Sequence, residues 1–89
     1  MPVISMFHGI LVRMYFYDTD QHALPHIHAE YGDESAVYCI GDGERLAGSL
    51  SRSKERLVLA WIELHRDELR ADWTLAAQGQ PLFRIAPLQ

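Results

Sequence analysis

The sequence predicts an α+β domain: a small antiparallel sheet of three to five strands, packed on one face by a long C-terminal helix or by two helices, with a short closing strand. In the first half, apolar residues alternate with polar ones and Gly-containing turns separate short runs, which is typical of strands. In the second half, the apolar spacing changes to a helical period. We therefore divide a single domain, 1–89, into a strand region 8–50, a helical region 52–78 and a closing segment 81–89.

The first predicted strand follows Gly9 and shows a period of two. Its even positions are apolar and are expected to face the core, whereas Arg13, Tyr15 and Tyr17 are expected to face solvent. Residues 18–22 then form a polar turn.

Three further strands are predicted from turn residues. Pro25 opens the second strand, where its missing N–H does least harm. A turn at Gly32 leads to the third strand and a turn at Gly41 to Gly43 leads to the fourth. Short turns of this kind join antiparallel neighbours.

The helical region has one apolar arc, which is expected to pack on the sheet. The arc consists of Leu57, Val58, Trp61, Ile62, Leu64 and Leu69. Ser51 or Ser53 is expected to cap the helix. Residues 69–77 either continue this helix or form a second one, Gly79 ends it, and 82–85 are predicted to form the closing strand. On a helical projection His65 falls among the residues of this arc, so its side chain is expected to point inward.

Composition restricts the class of protein. A hydrophobic content of 48% with 22% charged residues is typical of a globular chain. Cys39 is the single cysteine, so no intrachain disulfide can form and a reducing compartment is expected. No apolar run is long enough to span a bilayer and no signal peptide is apparent, so we expect a cytoplasmic protein without a membrane partner.

The small size favours a binding partner or a homodimer, because a domain of 89 residues buries a modest core. The formal net charge of -4 argues against general binding to a phosphate backbone. RNA contact through a local patch is an alternative that this charge does not favour.

The segment Pro25 to Tyr31 is the strongest candidate for a functional site. An extended chain places His26, His28 and Glu30 on one face and the apolar residues between them on the other. The predicted contact surface is Arg13, Tyr15, Tyr17, His26, His28 and Glu30. Solvated histidines and Tyr residues that simply favour strands would give the same pattern.

The alternative hypothesis is that this segment forms the active site of an enzyme. His26 and His28 could act as the base and acid of a ribonuclease, with Arg13 stabilising the phosphorane. They could instead bind a divalent metal such as zinc, with Glu30 or His65 as further ligands, in a metal-dependent hydrolase. Bringing His65 onto the pair would require the strand to be rotated by one position.

Two blocks carry a resemblance to a known family. They are Pro25-His26-x-His28-Ala29-Glu30-Tyr31 and Trp61-x-Glu63-Leu64-His65-x-Asp67-Glu68-Leu69. Together with Gly48-Ser49-Leu50, Trp73 and Ile85-x-Pro87-Leu88, they make nearly the whole chain similar to the bacterial family catalogued as domain of unknown function 4160. The chain departs from the family pattern at Ile27, where an aromatic is common, in a longer 18–24 turn, and at Ser51, where Pro usually opens the helix.

The resemblance implies a small bacterial protein without an established activity. Genes of this family often lie beside a gene for another small domain, an arrangement suggestive of toxin-antitoxin modules. We therefore expect an interaction protein that contacts the product of the neighbouring gene through the His-containing sheet face.

Overall fold

A five-stranded antiparallel sheet and two C-terminal helices form the domain in the computed structural model, which describes residues 3–16 and 24–89. The strands are neighbours in chain order: β1 (Val3–Phe7), β2 (Ile10–Arg13), β3 (His26–Tyr31), β4 (Glu34–Cys39) and β5 (Arg45–Ser49). The helices are α1 (Arg52–Leu64) and α2 (Arg66–Ala77). The predicted α+β class is confirmed. The predicted turn at 18–22 lies outside the described residues.

The N-terminal strand β1 was missing from the predicted strand region. β1 and β2 form a hairpin whose turn residues His8 and Gly9 have φ values of 50° and 80°. Positive φ at both positions is the signature of a type I′ turn, whose twist matches that of paired strands. The pairing of β1 with β2 shifts register between Val3 and Ser5, so Ile4 is an extra residue and the alternation of β1 is broken.

The helices pack on one face of the sheet, which we call the inner face. Val12 pairs with Ala29, and Ile27 pairs with Tyr38, so these side chains share that face. All of them are buried in one cluster with Val58, Trp61, Ile62 and Leu69 of the helices. The apolar arc predicted from the sequence therefore packs on the sheet, with one correction: Leu64, which was expected to belong to it, is 68% exposed at the end of α1.

A buried tyrosine joins the inner face to α1. The Tyr38 hydroxyl donates a hydrogen bond of 2.8 Å to Glu55, which also accepts one of 3.3 Å from Arg45. Burial raises the pKa of the Tyr38 phenol above its ordinary value, and the Glu55 carboxylate adds to the rise. The phenol therefore stays protonated and keeps donating.

The start of α1 differs from the predicted serine cap. Ser51 is the N-cap residue, but no side-chain capping bond is formed. Instead, the Ser51 amide donates to the Glu34 carboxylate at 2.9 Å, which ties the helix to the first residue of β4. A carboxylate also suits the positive end of the helix dipole.

The helical region divides at His65, where φ is -116° and ψ is 23°. His65 was expected to point inward, and this holds in part: its ring lies beside buried Trp61, while one ring nitrogen meets the exposed carboxylate of Glu68. Its side chain is 18% exposed and its Nδ1 lies 2.6 Å from the Glu68 carboxylate. The break places His65 at the junction of the two helices, beside the ring of Trp61 at 5.7 Å.

The closing segment is held by hydrogen bonds but is not a strand, so that part of the prediction is wrong. The Ile85 amide donates to Ile4 of β1 at 2.8 Å, and the Ile85 carbonyl accepts from the buried Ser5 hydroxyl at 2.9 Å. Trp61 Nε1 donates to the Ala86 carbonyl at 2.8 Å. The strand that completes the five-stranded sheet, in addition to the four predicted from residues 8–50, is therefore the N-terminal β1 and not the closing segment.

Asp72 of α2 also binds this segment and is buried. One carboxylate oxygen accepts a hydrogen bond of 3.0 Å from the Phe83 amide, and the other has no hydrogen-bond partner within the described part of the chain. Burial raises the pKa of Asp72 above its ordinary value and nearby Glu68 raises it further, although the Phe83 amide acts in the opposite direction.

Stability should therefore depend on the protonation of Asp72. Because the folded-state pKa exceeds the unfolded one, the native state binds the proton more tightly, and this stabilisation is lost as pH rises through the raised pKa. We expect Asp72→Asn to be more stable than the parent at pH 7, because it removes the buried charge and keeps an acceptor for Phe83. Urea unfolding at a series of pH values should show the difference shrinking on acidification. Exposed Asp67 on the same helix gives the control, Asp67→Asn, and equal behaviour of the two variants would contradict the prediction.

Candidate functional site

The opposite, outer face of the sheet carries the residues that the sequence singled out. Arg13 of β2 pairs with His28 of β3, which in turn pairs with Val37 of β4. Glu30 pairs with Ser35 on the same face. The alternation predicted for the His strand is confirmed, because Ile27 and Ala29 are fully buried among the inner-face residues.

Arg13 and Glu30 form an ion pair across β2 and β3. The Arg13 Nε lies 3.3 Å from Glu30 Oε2, and the two side chains are 25% and 37% exposed. A pair this exposed contributes about 0–1 kcal/mol to stability. The pair places both charged groups side by side on the outer face.

A row of five rings crosses the start of β3. It runs Phe16, Trp73, His26, His28, Tyr15, and successive centroids lie 5.3, 5.1, 5.3 and 4.5 Å apart. Trp73 belongs to α2, which meets the sheet here because Arg66 at its first residue donates to the Ile40 carbonyl at 2.9 Å. Through Trp73, α2 therefore packs against the His26 ring.

His26 is fully buried, which corrects its expected place on the exposed contact surface. Its Nδ1 lies 2.7 Å from the Leu24 carbonyl, and since a carbonyl only accepts, Nδ1 carries a proton. His28 and Tyr15 are half-buried. His28 is therefore the accessible imidazole of the pair, and the buried His26 ring packs against it at 5.3 Å.

A cavity of about 170 Å³ opens on the outer face beside His28. Its lining residues come from three strands: His28, Glu30, Ser35, Ala36, Val37, Ala47 and Gly48. The part contributed by β4 and β5 was not predicted, because nothing in the local pattern of those strands indicates which of their residues meet β3.

Gly48 is the residue of β5 with the clearest structural requirement. Its φ is 68°, and a Cβ placed there would lie 2.2 Å from the Ser35 carbonyl oxygen. The contact is part of the pairing between β4 and β5, whose register shifts between Val37 and Tyr38. The absence of a side chain lets the two strands approach at the cavity wall.

Two further residues were predicted to belong to the site: His65, as a metal ligand, and Tyr17, as part of the contact surface. His65 lies at the helix junction with Glu68, as described above, and contacts Trp61 and not the His pair. Within residues 3–16 and 24–89, no three His, Cys, Asp or Glu side chains come together as a group that could hold a metal ion. Tyr17 lies outside the described residues.

A second, more apolar cleft of about 220 Å³ lies between the end of β2 and the end of α2. It is lined by Met14, Tyr15, Phe16, Ala76, Gly79, Gln80 and Leu82. Tyr15 thus lines this cleft while its ring contacts His28.

The fold and the site define a small α+β domain whose sheet is covered by helices on its inner face and carries a polar cavity on its outer face. The chain belongs to the family described as domain of unknown function (DUF4160), whose model matches residues 9–74. No curated protein and no solved structure is significantly similar to the chain. No helix in the described part of the chain is both long and apolar enough to cross a bilayer.

Proposed function

We propose that this chain is a small cytoplasmic interaction protein, one component of a two-gene module resembling toxin-antitoxin systems. Its partner is the product of the neighbouring gene, and the contact surface is the outer face around Arg13, Tyr15, His28 and Glu30. The observation that carries the proposal is the arrangement of the sheet. The helices bury the inner face, whereas the outer face keeps half-buried polar side chains around a cavity.

Two physical features suit this surface to a protein partner. Tyr15 presents a ring held by the His28 ring, and an aromatic group held in place loses little entropy on binding. The ion pair of Arg13 and Glu30 offers both a donor and an acceptor in fixed positions. The net charge of -4 adds a long-range attraction for a basic partner.

Co-purification tests the proposal. The chain is expressed untagged with the neighbouring reading frame carrying the tag, and the eluate is weighed by native mass spectrometry. We expect a stoichiometric complex for the parent chain and loss of the complex for His28→Ala combined with Glu30→Ala. The control is Glu63→Ala on the exposed side of α1, which removes one carboxylate and should leave the complex intact.

Each outcome of this experiment has one meaning. An unchanged melting temperature of the double variant is required, because it separates loss of contact from loss of fold. Failure of the parent chain to co-elute contradicts the module, and equal loss in the Glu63→Ala control contradicts the choice of surface. A homodimer mass in the chain purified alone, with no partner bound, would instead assign the surface to self-association.

An enzyme is the second candidate, and one observation favours it. The Leu24 carbonyl fixes the protonated nitrogen of His26, and the His28 ring stands 5.3 Å away at the surface. Backbone support of this kind is typical of histidines that bind metals or transfer protons. In this reading His28 is the group that meets substrate, with His26 as a ligand or proton partner and Arg13 as the anion-stabilising group.

The same eluate distinguishes the enzyme from the binding module. Extra mass equal to a zinc ion, or hydrolysis of single-stranded RNA that is abolished by His28→Ala, would support the enzyme. An interaction protein should show neither, and His28→Ala should affect only the yield of complex. RNA bound without hydrolysis should dissociate steeply with added salt.

A further inference from the structure

We infer that the cavity on the outer face takes one cationic side chain, a lysine or an arginine, of the bound partner. This inference rests on the proposed function, because it names the chemistry by which the same surface recognises its partner. It concerns the cavity beside His28, lined by strands β3, β4 and β5.

The charges around the cavity favour a cation. Glu30 is the carboxylate among the lining residues, which include no lysine or arginine. Arg13 lies outside the lining residues, and its Nε is 3.3 Å from Oε2 of Glu30. A carboxylate with two oxygens accepts several donors, so Glu30 can receive a second cationic group while it keeps Arg13.

The walls of the cavity suit the stem of a long side chain. Val37 and Ala47 supply apolar surface from neighbouring strands, and they are cross-strand partners in the sheet. Lysine and arginine pack their methylene stems on such surface and leave the charged end at polar groups. Ser35, the cross-strand partner of Glu30, adds a hydroxyl at the polar end.

The volume restricts the occupant to a single side chain. A cavity of about 170 Å³ is comparable with engineered cavities that hold one benzene molecule. It is too small for a helix or for a whole nucleotide. Together with the net charge of -4, this favours a basic segment of a protein that inserts one residue.

The first test needs no partner. Nα-acetyl-lysine amide, which keeps its charged side-chain ammonium, is titrated into the isolated chain. A parallel titration uses Nα-acetyl-norleucine amide, which has nearly the same stem without the charge. We expect saturable backbone amide shifts at Ala47, Gly48 and His28 with the lysine probe only. Glu30→Gln should abolish the shifts, and the exposed-helix control Glu63→Gln should retain them. Equal shifts with both probes, or shifts that survive Glu30→Gln, would overturn the inference.

The second test uses the complex. Glu30→Gln should weaken binding of the neighbouring gene's product about tenfold or more, because it removes one member of a charge pair. Ala47→Leu fills the cavity without a change of charge and should weaken binding as well. Melting curves of both variants verify the fold.

The two proposals can fail separately. If the partner binds but neither Glu30→Gln nor Ala47→Leu weakens the complex, insertion of a cationic side chain into the cavity is refuted. The proposal of an interaction protein is then unaffected. If the lysine probe binds and no partner co-purifies, the cavity chemistry stands and the proposed function is refuted.

Discussion

Replacing Trp61 with alanine should destabilise the protein by roughly 3–5 kcal/mol, the range measured for large aromatic residues removed from cores. Trp61 is fully buried at the centre of the core, and its ring lies 5.3 Å from that of Phe7 in β1. Its Nε1 also donates a hydrogen bond to the Ala86 carbonyl. One substitution therefore removes core volume, a contact between α1 and the sheet, and an anchor of the C-terminal segment.

Urea unfolding followed by circular dichroism measures this effect. Small domains have a total stability of about 5–15 kcal/mol, so the variant should be near the limit of folding. Leu64→Ala provides the control, because Leu64 lies in the same helix and is 68% exposed. Its effect should stay within about 0.5 kcal/mol. A Trp61→Ala curve that coincides with the Leu64→Ala curve would refute the central place of Trp61 in the core.

Gly48→Ala should have the second largest effect, a loss of roughly 2 kcal/mol or more. Two costs add at this position. The φ of 68° is unfavourable for a residue with a Cβ, and that Cβ would lie 2.2 Å from the Ser35 carbonyl oxygen and 3.1 Å from Ala36 Cα. Since both obstacles are backbone atoms of β4, only separation of β4 from β5 can relieve them.

Gly32→Ala separates the two costs. Gly32 has a similar φ of 60°, but no atom of the described residues lies within 4 Å of the position that its Cβ would take. This variant should therefore lose only the conformational part, about 1–2 kcal/mol. The difference between the two variants in thermal or urea unfolding measures the steric clash. Equal losses would mean that β5 accommodates the extra methyl group.

The alternation of apolar residues was sufficient to predict most of the sheet. Ile27 and Ala29 face the helices and His28 and Glu30 face away, as a period of two requires. The apolar arc around Trp61 was likewise sufficient to predict the helical region. These patterns are local, because each residue's face depends only on its neighbours along the chain.

Irregular backbone accounts for what the patterns missed. The extra residue in β1 breaks the alternation, so this strand was not recognised, although the His8-Gly9 pair is compatible with a hairpin turn. The end of α1 at Leu64 similarly interrupts the helical period, and His65 becomes the residue between two helices. In both places one period does not continue through the backbone.

From the sequence alone we predicted the α+β class and the order of strands β2 to β5 and the helices, and the alternation favoured one face of the sheet for His28 and Glu30 while leaving a rotated strand open. The burial of His26 against Trp73, 47 positions away, and the part of the cavity wall that β5 supplies beside Glu30 could be seen only in the folded chain. A residue's face follows from local backbone geometry. Its burial and its neighbours depend on contacts between distant segments, which no local period encodes.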